Sequence, residues 1–333
     1  MNSENKFSVI FFTYKRAILL DAAIDSLIKK AGFFIKYPIH IIYNYDDEHH
    51  KSYIKLKKNY KKKIILYKRK KIPIYKIIKF IICRPISFLW ILRYPSIVKN
   101  FTNFKFILEK ILASKSPDFV MLNTDDTIFY EKVEITKEIF DKIREYKKDY
   151  FFRTNFGLGL KGLYKAKKNS YNYFTETKKS KNDYIFWNSK NSNLNFHMKY
   201  HFQVEGAIYH RSTLLNFLRP MLYHNPVTLE AIGYREARLR NFFTNTIAQI
   251  KRSAVTYEVN SVQTVTNLRY NSRPQINPSY MMQLYLKEFK LCNLISSKEK
   301  FNSNIIPKKI YATKKEYGKK KTKINILKSN KIL

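Results

Sequence analysis

The sequence predicts an α/β protein: a mixed, mainly parallel sheet flanked by helices, followed by a basic carboxy-terminal extension. Three observations carry that expectation. Short runs of β-formers alternate with helically spaced apolar stretches through the first half of the chain. Polar or acidic residues stand at the carboxyl ends of the strand-like runs. Of the 333 residues, 45% are hydrophobic, enough for the sizeable core of one large α/β domain with an appendage. Residues 1–295 are expected to form that domain, its halves 1–150 and 151–295 differing in character, and residues 296–333 a lysine-rich mobile tail.

Phe7-Ser8-Val9-Ile10-Phe11-Phe12 reads as a buried first strand that delivers the polar loop Thr13-Tyr14-Lys15-Arg16. Leu19, Leu20, Ala23, Leu27 and Ile28 then recur at helical spacing, with Gly32 as the stop. Residues 38–43 form a second strand, with Asn44-Tyr45-Asp46-Asp47 at its carboxyl end. Strand, helix, strand in this order implies a right-handed parallel crossover. Ligands of such sheets bind beyond the carboxyl ends of the strands.

Residues 51–63 read as a charged helix and residues 64–67 as a further short strand. The stretch from Pro73 to Arg93 reads either as two helices broken at Pro85 that cover the sheet, or as a basic, aromatic face for anionic lipid. Residues 101–115 are amphipathic, with Phe104, Ile107, Leu108, Ile111 and Leu112 on one face. They lead into the apolar run 119–124, a buried strand that ends in Asp125-Asp126. Val133, Ile135, Ile139, Phe140 and Ile143 place another helix over 132–146. Beyond Tyr150 a strand is expected at 151–154 and an irregular insertion at 161–192. Helices follow at 212–218, capped by Ser212, and at 229–241. From Lys298 onward lysine dominates without an apolar period, the pattern of a solvated extension.

The formal charge of +39 and pI near 10.0 suit a polyanionic partner: nucleic acid, an anionic membrane face or a phosphorylated substrate. Abundant Lys, Asn, Ile and Tyr with 7 Gly and 10 Pro is also what an AT-rich genome imposes. The basic residues are spread along the whole chain, and no helix-turn-helix, RNP or zinc pattern occurs, which argues against specific nucleic-acid recognition. Cys83 and Cys292 have no metal-ligand spacing, so a reducing cytoplasm is the simplest home. There is no signal-peptide pattern and no membrane-spanning apolar run, which leaves a soluble protein or one docked peripherally at an inner membrane face.

Adjacent carboxylates at a strand end supply hard oxygen ligands, which suit Mg²⁺ or Mn²⁺ held together with substrate phosphates. A nucleoside-diphosphate sugar asks for three things: a cation to stabilise its departing diphosphate, hydrogen-bonding side chains near the first strand ends, and a separate carboxylate to deprotonate an acceptor hydroxyl. Each candidate also has a plainer use. Asp125 and Asp126 suit a turn or cap, Asp46 a solvated loop, and Glu230 a structural acceptor at a helix start. Arg153 and Arg211 suit ion pairs with acidic neighbours, and His210 and His224 a structural role.

FSVIFFTYKR (7–16) resembles the opening strand and loop of family-2-like GT-A glycosyltransferases, with Lys15 where Asn is common. IHIIYNYDD (39–47) is similar to the second strand of that family, which ends at an acidic nucleotide-contacting position. VMLNTDDTIF (120–129) resembles the strand that carries its D-x-D-type metal motif, with Thr124 in the first place. HFQVEGAIYHR (201–211), NPVTLE (225–230) and NSVQTVTN (260–267) are similar to segments of a bacterial subgroup, with Glu205 where Asp is expected. The likeness touches islands between about residues 7 and 290.

The resemblance implies a GT-A (Rossmann-like) fold with a nucleotide-binding half, 1–150, and an acceptor half, 151–295. It implies Asp126 as principal ligand of Mn²⁺ or Mg²⁺, with Asp125 on the metal, the ribose or the donor sugar. It places Thr13, Tyr14, Arg16, Asn44 and Asp46 around the nucleotide sugar, with Glu205 as general base and Glu230 as its rival, while the planar forks of Arg153 and Arg211 suit pairing with the diphosphate oxygens of the nucleotide sugar. The implied partners are a nucleotide-sugar donor and a glycan or lipid-linked glycan acceptor of the bacterial surface-polysaccharide kind. Two alternatives stand beside this: a non-catalytic glycan-binding relative, because Thr124 replaces an acid, and a basic nucleic-acid-binding protein.

Overall fold

The computed structural model describes residues 6–35, 38–83, 91–92, 101–114, 117–157, 184–191, 194, 198–257, 276–292, 304–305, 310–314 and 322–326. Strand β1 (Phe7–Tyr14) lies between β2 (Ile39–Asn44) and β4 (Phe119–Thr124), parallel to both, and β2 pairs in parallel with β3 (Ile64–Lys68). On the other side of β4, the sheet continues through β8 (Ala207–His210), β6 (Tyr150–Arg153), β9 (Asn245–Gln249) and β7 (Tyr184–Asn188). The pairs β4–β8, β8–β6 and β9–β7 are antiparallel, and β6–β9 is parallel. The expected mixed, mainly parallel sheet flanked by helices is therefore the observed one.

The apolar runs are continuous because the sheet is covered on both faces. Along β1, Phe7, Val9 and Phe11 join one core layer, while Ile10 and Phe12 join the other. Strand β4 repeats the alternation: Phe119 and Met121 on the first side, Val120 and Leu122 on the second. Helices α1 (Ala17–Ala31), α2 (Asp47–Tyr60), α5 (Lys137–Glu145) and α8 (Pro278–Leu286) contribute residues to the first layer. Helices α3 (Ile74–Cys83), α4 (Phe104–Leu112), α6 (Arg211–Leu218) and α7 (Pro226–Leu239) supply the second. Two small sheets complete the fold: β5 (Thr127–Phe129) with β10 (Ala254–Tyr257) and β12 (Asn304–Ile305), and β11 (Lys290–Cys292) with β13 (Tyr311–Lys314) and β14 (Thr322–Asn325).

Several boundaries differ from the sequence reading, each for a local reason. Helix α5 starts at Lys137, because Val133 and Ile135, two residues apart, are buried from a non-helical segment whose Val133 N–H donates to the Lys30 carbonyl at 2.9 Å. Helix α7 starts earlier than expected, at Pro226: Asn225 caps it and exchanges side-chain and backbone hydrogen bonds with Thr228. Ser212 caps nothing; α6 begins at Arg211, with no side-chain cap. The expected irregular insertion yields β7 on the sheet edge, and its residues 161–183 lie outside the described set, as do Pro85 and residues 260–267. Within the segment read as a solvated tail, β13 and β14 are paired strands, and Ile310, Ala312 and Ile326 are at most 1% exposed. Single apolar residues among lysines give no helical period, yet they suffice for short strands. Among the described residues, no helix is long and apolar enough to cross a membrane.

Candidate active site

The chain leaves β1 through Lys15, whose φ of 56° is rare for a residue with a side chain. That turn sends Arg16 back across the sheet edge, toward the turn that joins β4 to β5. Asp125 and Asp126 form this turn, held by the Asp125 N–H on the Phe12 carbonyl (3.1 Å) and the Tyr257 N–H on the Asp126 carbonyl (2.7 Å). Asp125 is wholly buried. Its Oδ2 accepts from the Thr13 hydroxyl at 2.6 Å and from Arg16 Nε at 3.0 Å, and its Oδ1 accepts from Arg16 Nη2. Arg16 Nη1 also reaches Oδ2 of Asp126 at 3.3 Å. Burial pushes the Asp125 carboxyl up to about 6, Arg16 and Thr13 hold it down, and Asp126 adds to the rise. Burial works against the Arg16 guanidinium, but the two carboxylates keep it firmly protonated.

Asp126 is differently placed. Its Oδ1 is buried and has no hydrogen-bond partner among the described residues, although the side chain as a whole remains partly exposed. Asn123, fully buried on β4, likewise has neither polar side-chain atom partnered among the described residues. A buried polar group without a partner costs roughly 1–3 kcal/mol, so such atoms mark positions kept for something other than stability.

Two further carboxylates belong to the same end of the sheet. Glu205 precedes Gly206, whose φ of +64° and close approach to Thr154 Oγ1 (2.2 Å from where a Cβ would stand) admit only glycine. The Thr256 hydroxyl on β10 donates to Glu205 Oε2 at 2.6 Å. Glu230, on the first turns of α7, accepts from the Val204 N–H at 3.4 Å. Burial pushes the Glu230 carboxyl up to about 7; the Val204 N–H and Arg153 hold it down, and Asp126 raises it. The Tyr200 hydroxyl is carried up to about 12 by burial, then by Glu230, Tyr234 and Glu205. Asp126, Arg153, Glu205, Glu230 and Tyr200 thus form one electrostatic cluster at the carboxyl ends of β4 and β6.

The ends of β1 and β2 lie beside it. Tyr14 registers with Asn44, and the Lys15 N–H donates to the Asn44 carbonyl at 3.3 Å. Asp46 caps α2 by accepting from the His49 N–H at 3.1 Å, and its other oxygen meets Lys15 Nζ at 2.5 Å. Slight burial opposes ionisation of Asp46, while Lys15 and His49 hold its carboxyl well below the usual range. Asp46, Glu48 and His49 could bring three ligand atoms within 4.8 Å of one another, the one such group found among the described residues. Lys15 and the helix cap already account for Asp46 there.

Of the residues the sequence suggests for the site, Thr13, Tyr14, Arg16, Asn44, Asp46, Asp125, Asp126, Arg153, Glu205 and Glu230 stand at this edge. Arg211 does not. It sits beside the start of β4, roughly 16 Å along the strand from Thr124 at about 3.3 Å per residue. Its guanidinium ties down the carbonyls of Pro117 (2.8 Å) and Leu112 (2.7 Å), so it clamps a loop instead of facing a donor. His210 shares that remote end, and the buried His224 joins the α7 cap through Asn225 and Thr228. Asn123, Thr256 and Tyr200 were missed. Each is a single polar residue whose relevance depends on strands that only folding brings together.

No protein-family model matches the chain, and no curated protein matches it in sequence. Among solved structures the chain is similar to S. aureus TarS 1-349, with a TM-score of 0.36 and 15% identity over 75% of this chain and 59% of that one. It is also similar to mouse xyloside xylosyltransferase 1 in its apo form, with a TM-score of 0.33 and 9% identity over 69% of this chain and 82% of that one. The chain spans less than two thirds of the TarS chain that it matches.

Proposed function

We propose that this chain is a cytoplasmic, metal-dependent glycosyltransferase that moves a sugar from a nucleotide-diphosphate donor to a hydroxyl of a glycan or lipid-linked glycan, of the bacterial surface-polysaccharide kind. One observation carries the reading: a carboxylate cluster at the carboxyl ends of the central strands, in which a buried oxygen of Asp126 has no hydrogen-bond partner among the described residues and burial pushes the Glu230 carboxyl up to about 7.

The donor set consists of hard oxygens, which fits Mg²⁺ or Mn²⁺ better than a softer metal. Asp126 would hold the cation. Asp125 is committed to Arg16 and Thr13, so its work is to fix the Arg16 guanidinium at the sheet edge. A divalent cation, when bound, stabilises negative charge on the departing diphosphate. Thr13, Tyr14, Asn44 and the Lys15–Asp46 pair line the nucleoside end of the site. Arg153 keeps positive charge among the acids, which eases the approach of phosphate oxygens. Glu230 or Glu205 takes the acceptor hydroxyl proton; a carboxylate near 7 favours Glu230, while Thr256 orients Glu205.

Thermal stability measured with UDP-, GDP-, CMP- and dTDP-sugars, with and without Mn²⁺, tests the reading. One nucleotide class should raise the Tm only when the metal is present. If none does under either condition, the donor assignment fails. A second reading has its own support: with Thr124 in the motif and Asp125 locked by Arg16, a single carboxylate remains for the cation. A non-catalytic glycan-binding protein would bind glycan and ignore every nucleotide.

A further inference from the structure

We propose that α3 is an interfacial helix that lays its outer face on an anionic lipid bilayer. The inner side of this helix is ordinary: Ile77 is 2% exposed and joins the core layer of Phe101 and Phe104, with Ile81 packed against it. The outer side is not. Tyr75, Ile78 and Ile82 are 61%, 50% and 73% exposed, and their spacing of three and four residues sets them on one face. Lys79 shares that face and Lys76 stands at its margin, both exposed. A helix that only covers a sheet buries one stripe and turns polar residues outward. This one presents three large apolar side chains to solvent with two lysines along one side of them, the pattern of an interaction surface.

Charge selects the occupant. From Lys68 to Leu108, the stretch that contains α3, the chain carries 10 lysines and arginines and not one aspartate or glutamate. Two copies meeting through α3 would set like charges against each other. A bilayer with anionic headgroups accommodates both parts of the surface: Tyr75, Ile78 and Ile82 at the acyl boundary, the lysines at the phosphates with their stems along the apolar ridge. The helix also leaves the sheet at the relevant edge. Lys68, the last residue of β3, registers with Tyr43, and the Arg69 N–H donates to the Tyr43 carbonyl at 2.9 Å. Tyr43 in turn registers with Thr13. The lipid-facing helix therefore springs from the same sheet edge as the carboxylate cluster, but lipid binding is read without turnover and does not depend on the catalytic reading.

Co-sedimentation of the full chain with vesicles of phosphatidylcholine alone, or mixed with phosphatidylglycerol, tests the proposal. The protein should pellet with the anionic vesicles, less so as salt rises. Ile78→Glu/Ile82→Glu should weaken binding by about tenfold or more while leaving the Tm and the oligomeric state unchanged, since both side chains face solvent. As an independent readout, Tyr75→Trp emission should shift to the blue on anionic vesicles only. Equal pelleting of the wild type and the double glutamate variant would mean that charge alone holds the protein, and overturns the assignment to α3. An absence of binding overturns it too, as does a change from dimer to monomer in the double variant, which would identify a self-association face.

Discussion

Arg16 grips Asp125 with both arms of its guanidinium: Nε donates to Oδ2 at 3.0 Å, Nη2 donates to Oδ1, and Nη1 reaches on to Asp126. The pair joins the loop after β1 to the turn after β4, so it holds together the two strand ends on which the site is built. Removing one member of a buried pair leaves the other charge uncompensated, at a cost of about 3–5 kcal/mol. Arg16→Met should lose about that much in urea unfolding. Arg16→Met/Asp125→Asn should recover part of it, because the stranded carboxylate is gone. Additive losses would show that the two residues do not act as a pair.

Asp126 lies next in sequence, yet its substitution should behave in the opposite way. Oδ1 accepts no hydrogen bond among the described residues, and Oδ2 has a single contact at 3.3 Å. Asp126→Asn should therefore change unfolding stability by less than about 1 kcal/mol. It should abolish the Mn²⁺-dependent part of any Tm rise given by the nucleotide sugar. A variant that keeps the metal-dependent rise would remove Asp126 from the metal site.

The legible part of this site was the part written in contiguous runs. Strands β1, β2 and β4 are buried on both faces, so each reads as an apolar stretch, and the polar residues that end them mark the sheet edge. The Asp125-Asp126 pair stands out because it ends such a run in a chain with only 25 acidic residues. What stayed illegible depends on backbone turns and distant partners. Nothing local states that Lys15 adopts a positive φ and turns Arg16 onto Asp125, or that Thr256 reaches Glu205. The run 201–211 suggests Arg211 for the site, but the antiparallel course of β8 carries it to the other end of β4.

Gly206 combines two demands that no other residue meets. Its φ is +64°, and an added Cβ would stand 2.2 Å from Thr154 Oγ1. Gly206→Ala should cost about 2 kcal/mol or more, from backbone strain of about 1 kcal/mol and the clash. Thr154→Ala in the same chain removes the clashing oxygen and leaves the next contact at 3.6 Å, so it should return the steric share and not the strain. Urea midpoints of the two single variants and the double variant give the coupling. Because Gly206 sets the direction of Glu205, any activity should fall together with stability.

Truncation before residue 296 checks whether the lysine-rich segment is a passive tail. It would remove β13 and β14 and expose the layer that Ile310, Ala312 and Ile326 cover. Burial of an isoleucine contributes roughly 1.5–3 kcal/mol, so the loss should be about 3 kcal/mol or more. A truncated chain that unfolds at the same urea concentration as the whole would restore the solvated-tail reading.

Glu230 ties stability to pH in a direction opposite to that of a salt-bridged acid. Its carboxyl is raised from 4.5 to about 7, so between those values the folded chain binds a proton that the unfolded chain has released. Stability therefore falls as pH rises from about 4.5 to 7, and stays reduced above that. At about 1.4 kcal/mol per unit the full effect is about 3 kcal/mol. Glu230→Gln, which carries no charge, should be more stable than the wild type at pH 8, by up to about that amount, with a flatter profile between pH 4.5 and 7. If Glu230 is also the base, wild-type kcat/KM should climb through about pH 7, and the glutamine variant should lose about 100-fold or more together with the climb. If Glu205 is the base instead, Glu230→Gln keeps most of its rate and Glu205→Gln loses it. The stability gain should appear in either case, because it comes from the buried charge and not from the chemistry.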